Sequence, residues 1–424
     1  MDFAPSSRAV DLASRVQTFL DEEIRPVEAD HHQRVRETRE SGGDAWQPLP
    51  VIAELQAKAR EQGLWNLWLP HSSHVPEAKE YAERFGTDGG DGLTNTDYAG
   101  IAEVTGRSFL APHVFNCNAP DTGNMEVLLR YGSDEQKKTW LEPLLDGRIR
   151  SAFAMTEPGV ASSDATNMAA TAVVDEDTVV IDGRKWWSTG VGHPDCQIMV
   201  FMGHSGDPEA DRHHQHTMVL VPRDTPGVKV ERMLTTMGMY DEPYGHGEVS
   251  FTDVRVPVEN VLVGPGEAFA IAQGRLGPGR VHHCMRLVGL AEEALDLACR
   301  RGTERKAFGK PLVNLGGNRE RIAEARIAIE QARLLVLKTA WLLDTGGPLA
   351  ALSEVSQIKV AVPAMAQQVV DMAMQLHGGG GLSDDFPLAA MWTTARALRL
   401  ADGPDEVHRG VVARLELGKH GMSR

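Results

Sequence analysis

Only four cysteines occur in 424 residues, at Cys117, Cys196, Cys284 and Cys299, and none form a C-x-x-C pair. That scarcity argues against a disulfide framework or a cysteine zinc site. It points to reduced thiols used for packing in a cytosol-like, cytoplasmic compartment. Basic residues are also in short supply: 43 Lys and Arg stand against 59 Asp and Glu, a net charge of −16. Such a surface is a poor partner for nucleic acid or an anionic membrane, and it repels phosphate-bearing ligands at long range. A phosphate ligand would need basic side chains and backbone N–H groups concentrated where it docks. Long apolar runs are missing too. The stretch from Ile358 to Met374 is interrupted by Lys359, Gln367, Gln368 and Asp371, so it reads as a helix of a soluble protein. The opening MDFAPSSRAVDLASRV lacks the apolar core of a secretory signal.

What is present is a globular composition, 42% apolar and 24% charged, long enough for two or three domains. Over residues 1–150 the pattern is helical: Leu12, Val16, Phe19 and Leu20 share one face, and Ile52, Leu55 and Ala59 repeat it. Between Pro70 and Asn95 a Gly-, Ser-, Asp- and His-rich stretch predicts a long surface excursion. Over 151–262 short β-branched runs follow one another, with Asp182-Gly183 read as a turn into Lys185-Trp186-Trp187. These predict a β-barrel or sandwich, and the lack of strand–helix alternation argues against a doubly wound nucleotide fold. Over 268–424 two stripes, Ile322 to Leu343 and Val355 to Met372, keep 3–4 spacing and suggest a helical bundle or a helix-mediated oligomer. Pro363 should kink the second helix. The fold class is therefore α+β multidomain, in the order α, β, α.

Five motifs carry chemistry. Met155-Thr156-Glu157-Pro158 with Ser162-Ser163-Asp164 is a hydroxyl-rich turn suited to an anion or a polar ring edge, although alone an ordinary loop fits it better. In Lys185-Trp186-Trp187-Ser188-Thr189 an indole beside two hydroxyls can cover an aromatic cofactor, while a core tryptophan explains one of the two indoles. Arg305-Lys306-Ala307-Phe308-Gly309-Lys310-Pro311 offers a guanidinium fork for phosphate and a ring for a purine or sugar, or is merely a charged turn. Gln375-Leu376-His377 followed by Gly378 to Gly381 frees N–H groups for a pyrophosphate, yet no strand precedes it as a dinucleotide fingerprint requires. Arg399-Leu400-Ala401-Asp402-Gly403-Pro404-Asp405-Glu406 places Asp402 at a helix junction, where Asp-Gly-Pro by itself is usually a turn. A further group, Asp211, His213, His214 and His216, has a metal-like look but reads better as a solvated loop. His282 and His283 either line a pocket or begin a helix.

Together, in this order, the five motifs resemble the acyl-CoA dehydrogenase family from about residue 100 onward. In detail the chain is similar to the branch of family members ten and eleven, whose last motif carries the same Asp-Gly-Pro-Asp-Glu run. The resemblance implies an α-helical domain, a β-domain and a C-terminal four-helix bundle, assembled as a homo-oligomer, dimer or tetramer. It implies FAD as cofactor. Met155, Thr156, Ser162 or Ser163, Trp187, Ser188 and Thr189 would surround the flavin ring, while Arg305, Phe308, Gln375, Gly378 and Gly379 would meet its adenosine-pyrophosphate part, the glutamine and glycines from a partner chain. Pro404 and Glu406 would also touch FAD, Gly403 would approach an acyl-CoA thioester, and Arg280 would stand near the base. Gly316 falls where many relatives carry glutamine, and Asp402 stands where most carry a glutamate base.

The implied reaction is α,β-dehydrogenation of an acyl-CoA to the trans-2-enoyl-CoA, a step of fatty acid β-oxidation. Asp402 would take the α-proton and hydride would pass to flavin N5, with an electron-transferring flavoprotein as acceptor. Water exclusion would raise the Asp402 pKa toward that task. Two alternatives remain open: a nitroalkane oxidase-like flavin oxidase with the same aspartate, and a helical binding or scaffold protein without catalysis. Acyl-chain length is not legible in the sequence.

Overall fold

A computed structural model describes residues 1–88, 90–205 and 209–422, the side chains of residues 276 and 278 excepted. By contacts the chain forms two compact units. One comprises Met1–Arg25, Leu93–Pro112 and Arg280–Arg424, and the other Pro26–Gly92 and His113–Gly279. N-terminal helices, a central sheet and C-terminal helices follow one another along the chain, the α, β, α order that the sequence texture predicts. No helix among the described residues is long and apolar enough to cross a membrane.

The second unit is built on seven strands: β1 Arg150–Ala154, β2 Thr171–Asp175, β3 Thr178–Thr189, β4 Cys196–His204, β5 His216–Pro222, β6 Val228–Leu234 and β7 His246–Pro257. They form one sheet in the order β1-β4-β2-β3-β7-β6, with β5 pairing β4. β4 runs parallel to β1 and β2, and the other pairs are antiparallel. Period-two alternation turns Val179 and Ile181 inward to a core with Phe201, Val219, Val249 and Phe251. Each such side chain, fully buried, contributes roughly 1.5–3 kcal/mol.

Two local expectations need correction in this unit. Asp182-Gly183 does not turn the chain, because β3 runs straight through it. Gly183 has φ +143° and the register with β7 shifts beside it, which makes a bulge. A Cβ on Gly183 would lie 2.4 Å from the Ala170 Cβ, so only glycine fits. The Asp253 N–H, displaced from the ladder, donates to the Asp182 carboxylate at 2.9 Å. The stretch between Pro70 and Asn95 likewise is no bare surface excursion. It contains the helix Ala78–Phe85, whose Ala78 and Ala82 are buried along with Val75. Alanines at two positions four apart let this short helix pack closely.

In the first unit, the helix Ser7–Phe19 buries Leu12, Val16 and Phe19 as its periodicity predicts. Ser6 caps it by accepting the Ala9 N–H, while its own N–H and hydroxyl donate to Asp97 at 2.7 and 2.9 Å. The C-terminal helices are Ala268–Glu304 (in this unit from Arg280), Asn318–Ala350, Leu352–His377, Leu388–Ala397 and Asp405–Gly418. Their apolar stripes are buried, including Ala325, Ile329, Val336, Ile358, Val362 and Val369. The helix Leu352–His377 is continuous in span through Pro363, which is itself buried. Non-helical backbone occurs at Gly347 (φ 74°, ψ −176°), inside Asn318–Ala350 and just before Pro348. His282 and His283 lie well within Ala268–Glu304 rather than at its start.

Two glycines set the approach of Ala268–Glu304 to the helix Asn95–Thr105. An added Cβ on Gly289 would lie 1.8 Å from the Glu103 carbonyl oxygen, and one on Gly106 would lie 2.0 Å from that of Arg286. The obstacles are backbone, so no rotamer change relieves them. Gly289→Ala should therefore cost about 1–3 kcal/mol or more. A chemical-denaturation midpoint equal to that of the parent would show that the helices can separate without loss.

Candidate active site

The helix Leu388–Ala397 ends before Asp402-Gly403, the stop suggested by sequence. The Leu400 and Ala401 N–H groups still bond the Ala397 carbonyl, at 2.9 and 3.0 Å, and carry the chain on through a tight turn. Asp402 then takes φ +56° and Gly403 φ +103°. Pro404 caps the next helix, Asp405–Gly418. Arg399 closes the reversal: its carbonyl accepts the Asp405 N–H at 3.1 Å and its guanidinium binds the Asp405 carboxylate at 2.9 and 2.8 Å.

Three side chains hold the backbone around Asp402. The Lys359 ammonium, buried in the helix Leu352–His377, donates to the carbonyls of Leu398 and Ala401 at 2.7 and 2.8 Å. Arg280 donates through Nε to the Asp402 carbonyl at 2.9 Å, and His408 Nε2 lies 3.3 Å from the same oxygen. A carbonyl only accepts, so neutral His408 carries its proton on Nε2. A side chain at position 403 would be strained by its φ of +103°, and its Cβ would press on the His408 ring, 2.9 Å from Nε2. The Asp402 carboxylate itself is partly exposed, and its Oδ2 lies 3.5 Å from His283 Nε2.

Burial, reinforced by the charges of Arg280 and Lys359, pushes the His408 pKa down to about 4. Burial pushes His282, whose ring stands edge-on to Tyr98 at 4.8 Å, down to about 3. Burial pushes the neighbouring Cys284 thiol up to about 12, which leaves it unreactive.

The sheet unit carries the hydroxyl-rich group. Lys185, fully enclosed, donates to Glu157 Oε1 at 2.7 Å and to the Met155 carbonyl at 2.9 Å, and sits 4.9 Å above the Phe201 ring. Burial lowers its pKa to about 8, while the Glu157 charge opposes the fall. Glu157 also accepts the N–H groups of Ala169 and Ala170, at 2.8 and 3.1 Å. One ion pair thus staples both ends of the loop that follows β1. Within that loop Ser162 Oγ accepts the Glu157 N–H at 2.9 Å, so it shapes the turn, whereas Ser163 is exposed. The Trp186 N–H bonds the Thr156 carbonyl at 2.9 Å. A register shift between Lys185 and Ser188 puts Trp187 at φ +52°, with 40% of its surface exposed. Ser188 is enclosed, and its hydroxyl has no protein partner among the described residues. Thr189 Oγ1 meets His246 Nδ1 at 2.9 Å.

Arg305 and Phe308 occupy a two-stranded hairpin, Lys306–Ala307 with Lys310–Pro311, and Phe308 at its tip is 95% exposed with φ +52°. Gln375, Gly378 and Gly379 are exposed at the end of Leu352–His377, where Gly378 takes φ +61°. Gly381 is buried, and its Cβ would lie 2.6 Å from the Met374 carbonyl oxygen. Pro404 is half-buried and Glu406 exposed. His213 and His214 are exposed, but His216 begins β5 and is buried. Among the described residues no three His, Cys, Asp or Glu side chains are placed to hold a metal ion.

The motif reading passed over Lys359, His408, Glu157 and Lys185 as working residues. A signal existed for the first: a lysine interrupting an otherwise apolar helical stripe needs a buried partner.

Three family models together span the chain. The acyl-CoA dehydrogenase N-terminal domain matches residues 7–148, the middle domain 152–254 and the C-terminal domain 266–417. The chain belongs to the acyl-CoA dehydrogenase family. It is 52% identical to mouse acyl-CoA dehydrogenase family member 10 over 406 residues, covering 96% of this chain and 36% of that one. It is 47% identical to FadE2 of Mycobacterium tuberculosis, named as an acyl-CoA dehydrogenase, over 99% of this chain and 98% of that one. A solved family structure from Mycobacterium abscessus is 64% identical, with a TM-score of 0.92 over 98% of this chain and 100% of that one. The chain spans only about a third to a half of the length of the first curated relatives.

Two predictions follow from the buried groups of this family member. Glu157→Ala leaves the Lys185 ammonium buried and unpaired, and should cost about 3–5 kcal/mol. Thermal melting together with proteolysis of the loop after β1 would detect it. The second concerns acid. The unfolded chain binds protons that His408 and His282 refuse in the fold, so stability is lost as pH falls from about 6.5 toward 4. A urea midpoint that stays flat between pH 7 and pH 5 would contradict this.

Proposed function

We propose that the chain is an FAD-dependent acyl-CoA dehydrogenase in which Asp402 is the α-proton base. The observation that carries the reading is the Asp402 turn. Its backbone is clamped by Arg280, His408 and Lys359, while the carboxylate stays partly exposed. A base held on a rigid element, with its carboxylate within reach of a substrate, is what proton abstraction requires.

The donor set fits FAD. Trp187 presents an indole and Thr156 a half-buried hydroxyl, in a loop pinned by Glu157 and Lys185. Phe308 is held outward at a hairpin tip, and no atom lies within 4 Å of a Cβ built on Gly378 or Gly379. Such a set suits a polar heteroaromatic ring and a pyrophosphate in an otherwise acidic protein. We assign Met155, Thr156, Ser163, Trp187 and Thr189 to the flavin ring, with Ser162 shaping the loop and Ser188 contributing through its backbone. Arg305, Phe308, Pro404 and Glu406 are assigned to the rest of FAD, as are Gln375, Gly378 and Gly379 from a second copy of the chain. The domain limits 1–150, 151–262 and 268–424 accompany this assignment.

Bound FAD supplies the two-electron acceptor for the hydride equivalent that leaves the substrate's β-carbon. Asp402 removes the α-proton onto a carboxylate oxygen; the electron pair of that C–H bond becomes the new α,β π-bond, while the pair of the β C–H bond leaves with the hydride. Gly403, lacking a side chain, leaves room for the thioester beside the base. Arg280 keeps the Asp402 carbonyl turned inward so that the carboxylate projects from the turn. An electron-transferring flavoprotein is the proposed acceptor of the reducing equivalents.

Anaerobic addition of a panel of acyl-CoA thioesters should bleach the visible flavin band, and the best member would define the chain class. Asp402→Asn should keep FAD and lose turnover by roughly 10²–10⁴-fold. Parent-like turnover in that variant removes Asp402 as base. Peroxide release from nitroethane without thioester bleaching would replace the reaction with a nitroalkane oxidation, and protein unable to bind FAD would leave a non-catalytic role.

A further inference from the structure

His283 lies between Arg286 and Asp402 in a row whose direction is set by chemistry. Arg286 Nη2 is 3.3 Å from His283 Nδ1, and His283 Nε2 is 3.5 Å from Asp402 Oδ2. A guanidinium only donates, so Nδ1 must accept, and the one proton of a neutral imidazole then sits on Nε2. An ionised carboxylate only accepts. The row therefore runs from the Arg286 donor, through His283, to Asp402. The second contact is long for a hydrogen bond, as pairs at a catalytic group often are before substrate arrives.

Several charged and titratable groups near this pair make contacts of their own. On the same helix Arg280 bonds the Asp402 carbonyl, the His282 ring packs on Tyr98, and Cys284 is buried. From the facing helices Lys359 bonds the carbonyls of Leu398 and Ala401, His408 approaches the Asp402 carbonyl, and Asp405 is bound by Arg399. Those contacts orient the backbone. His283 addresses the carboxylate.

We propose that His283 is a positioning residue for Asp402: held by Arg286 as the Nε2–H tautomer, it donates to the carboxylate and favours its ionised, proton-accepting form. The inference rests on the reading of Asp402 as the base. A hydrogen bond to the charged form of an acid lowers its pKa, so removing the donor moves the acid limb of kcat/KM to higher pH. It also frees the carboxylate to leave the orientation in which it meets the α-carbon.

His283→Phe keeps a ring and removes the donor, whereas His283→Gln restores an amide donor at similar reach. The Phe variant should shift the acid limb alkaline by about one pH unit, a roughly tenfold loss of kcat/KM below it. That loss should fall in kcat more than in KM, and Gln should recover most of it. A second readout needs no turnover: nitrogen shifts of 15N-histidine-labelled protein, with His283 assigned by its loss in either variant, should report the Nε2–H tautomer. The parent pH profile in His283→Phe, or an Nδ1–H tautomer in the parent, would overturn the proposal. Should Asp402→Asn retain turnover, the base assignment fails on its own, while the tautomer measurement still decides whether His283 donates to that side chain.

Discussion

A single buried ammonium sets the conditions for the Asp402 turn. Lys359 sits in the apolar stripe of Leu352–His377 and donates to the carbonyls of Leu398 and Ala401, which the ending helix would otherwise leave unsatisfied. With those oxygens bound, the chain can leave the helix and place Asp402 in the left-handed region, with its carboxylate turned away from the carbonyls. Arg280 and His408 then secure the carbonyl of Asp402 itself. Burying a lysine is costly, and here three backbone groups depend on the arrangement that offsets it.

The sheet unit solves a similar problem in the same way. Lys185 is enclosed among apolar side chains and is paired to Glu157, whose other contacts are backbone N–H groups of the loop after β1. In both units a buried lysine joins a packed element to an irregular segment. Neither pair is an efficient source of stability, since apolar side chains of equal volume would serve as well. What they supply is one defined conformation for chain that has no ladder or helix to define it.

Ten non-glycine residues among those described take a positive φ, and Trp187, Phe308 and Asp402 are three of them. For tryptophan and phenylalanine this conformation carries a steric cost, and an aspartate tolerates it better. In each case the side chain is thrust outward from a bulge, a hairpin or a turn. Strain of this kind persists where the surroundings over-determine it, and it tends to mark positions where side-chain direction matters. The acidic surface is offset in the same local manner, by placing Arg280 and Lys359 behind the turn rather than on the exterior.

Much of this was legible in the sequence. Periodicity located the long helices, β-branched runs located the sheet, and five motifs in order pointed to the family and to Asp402. Local texture was less reliable at Asp182-Gly183, which is a bulge rather than a turn, and after Pro70, where the stretch holds a packed helix. The amino-acid sequence by itself determined the order of elements, which follows from residue type and spacing, and it pointed to the candidate base through the family resemblance of the five motifs in order. The resemblance already put Arg280 near the base, but only the tertiary structure decided that Lys359 and His283 reach the same turn and that His408 faces its carbonyl, because hydrogen-bond partners are chosen by packing.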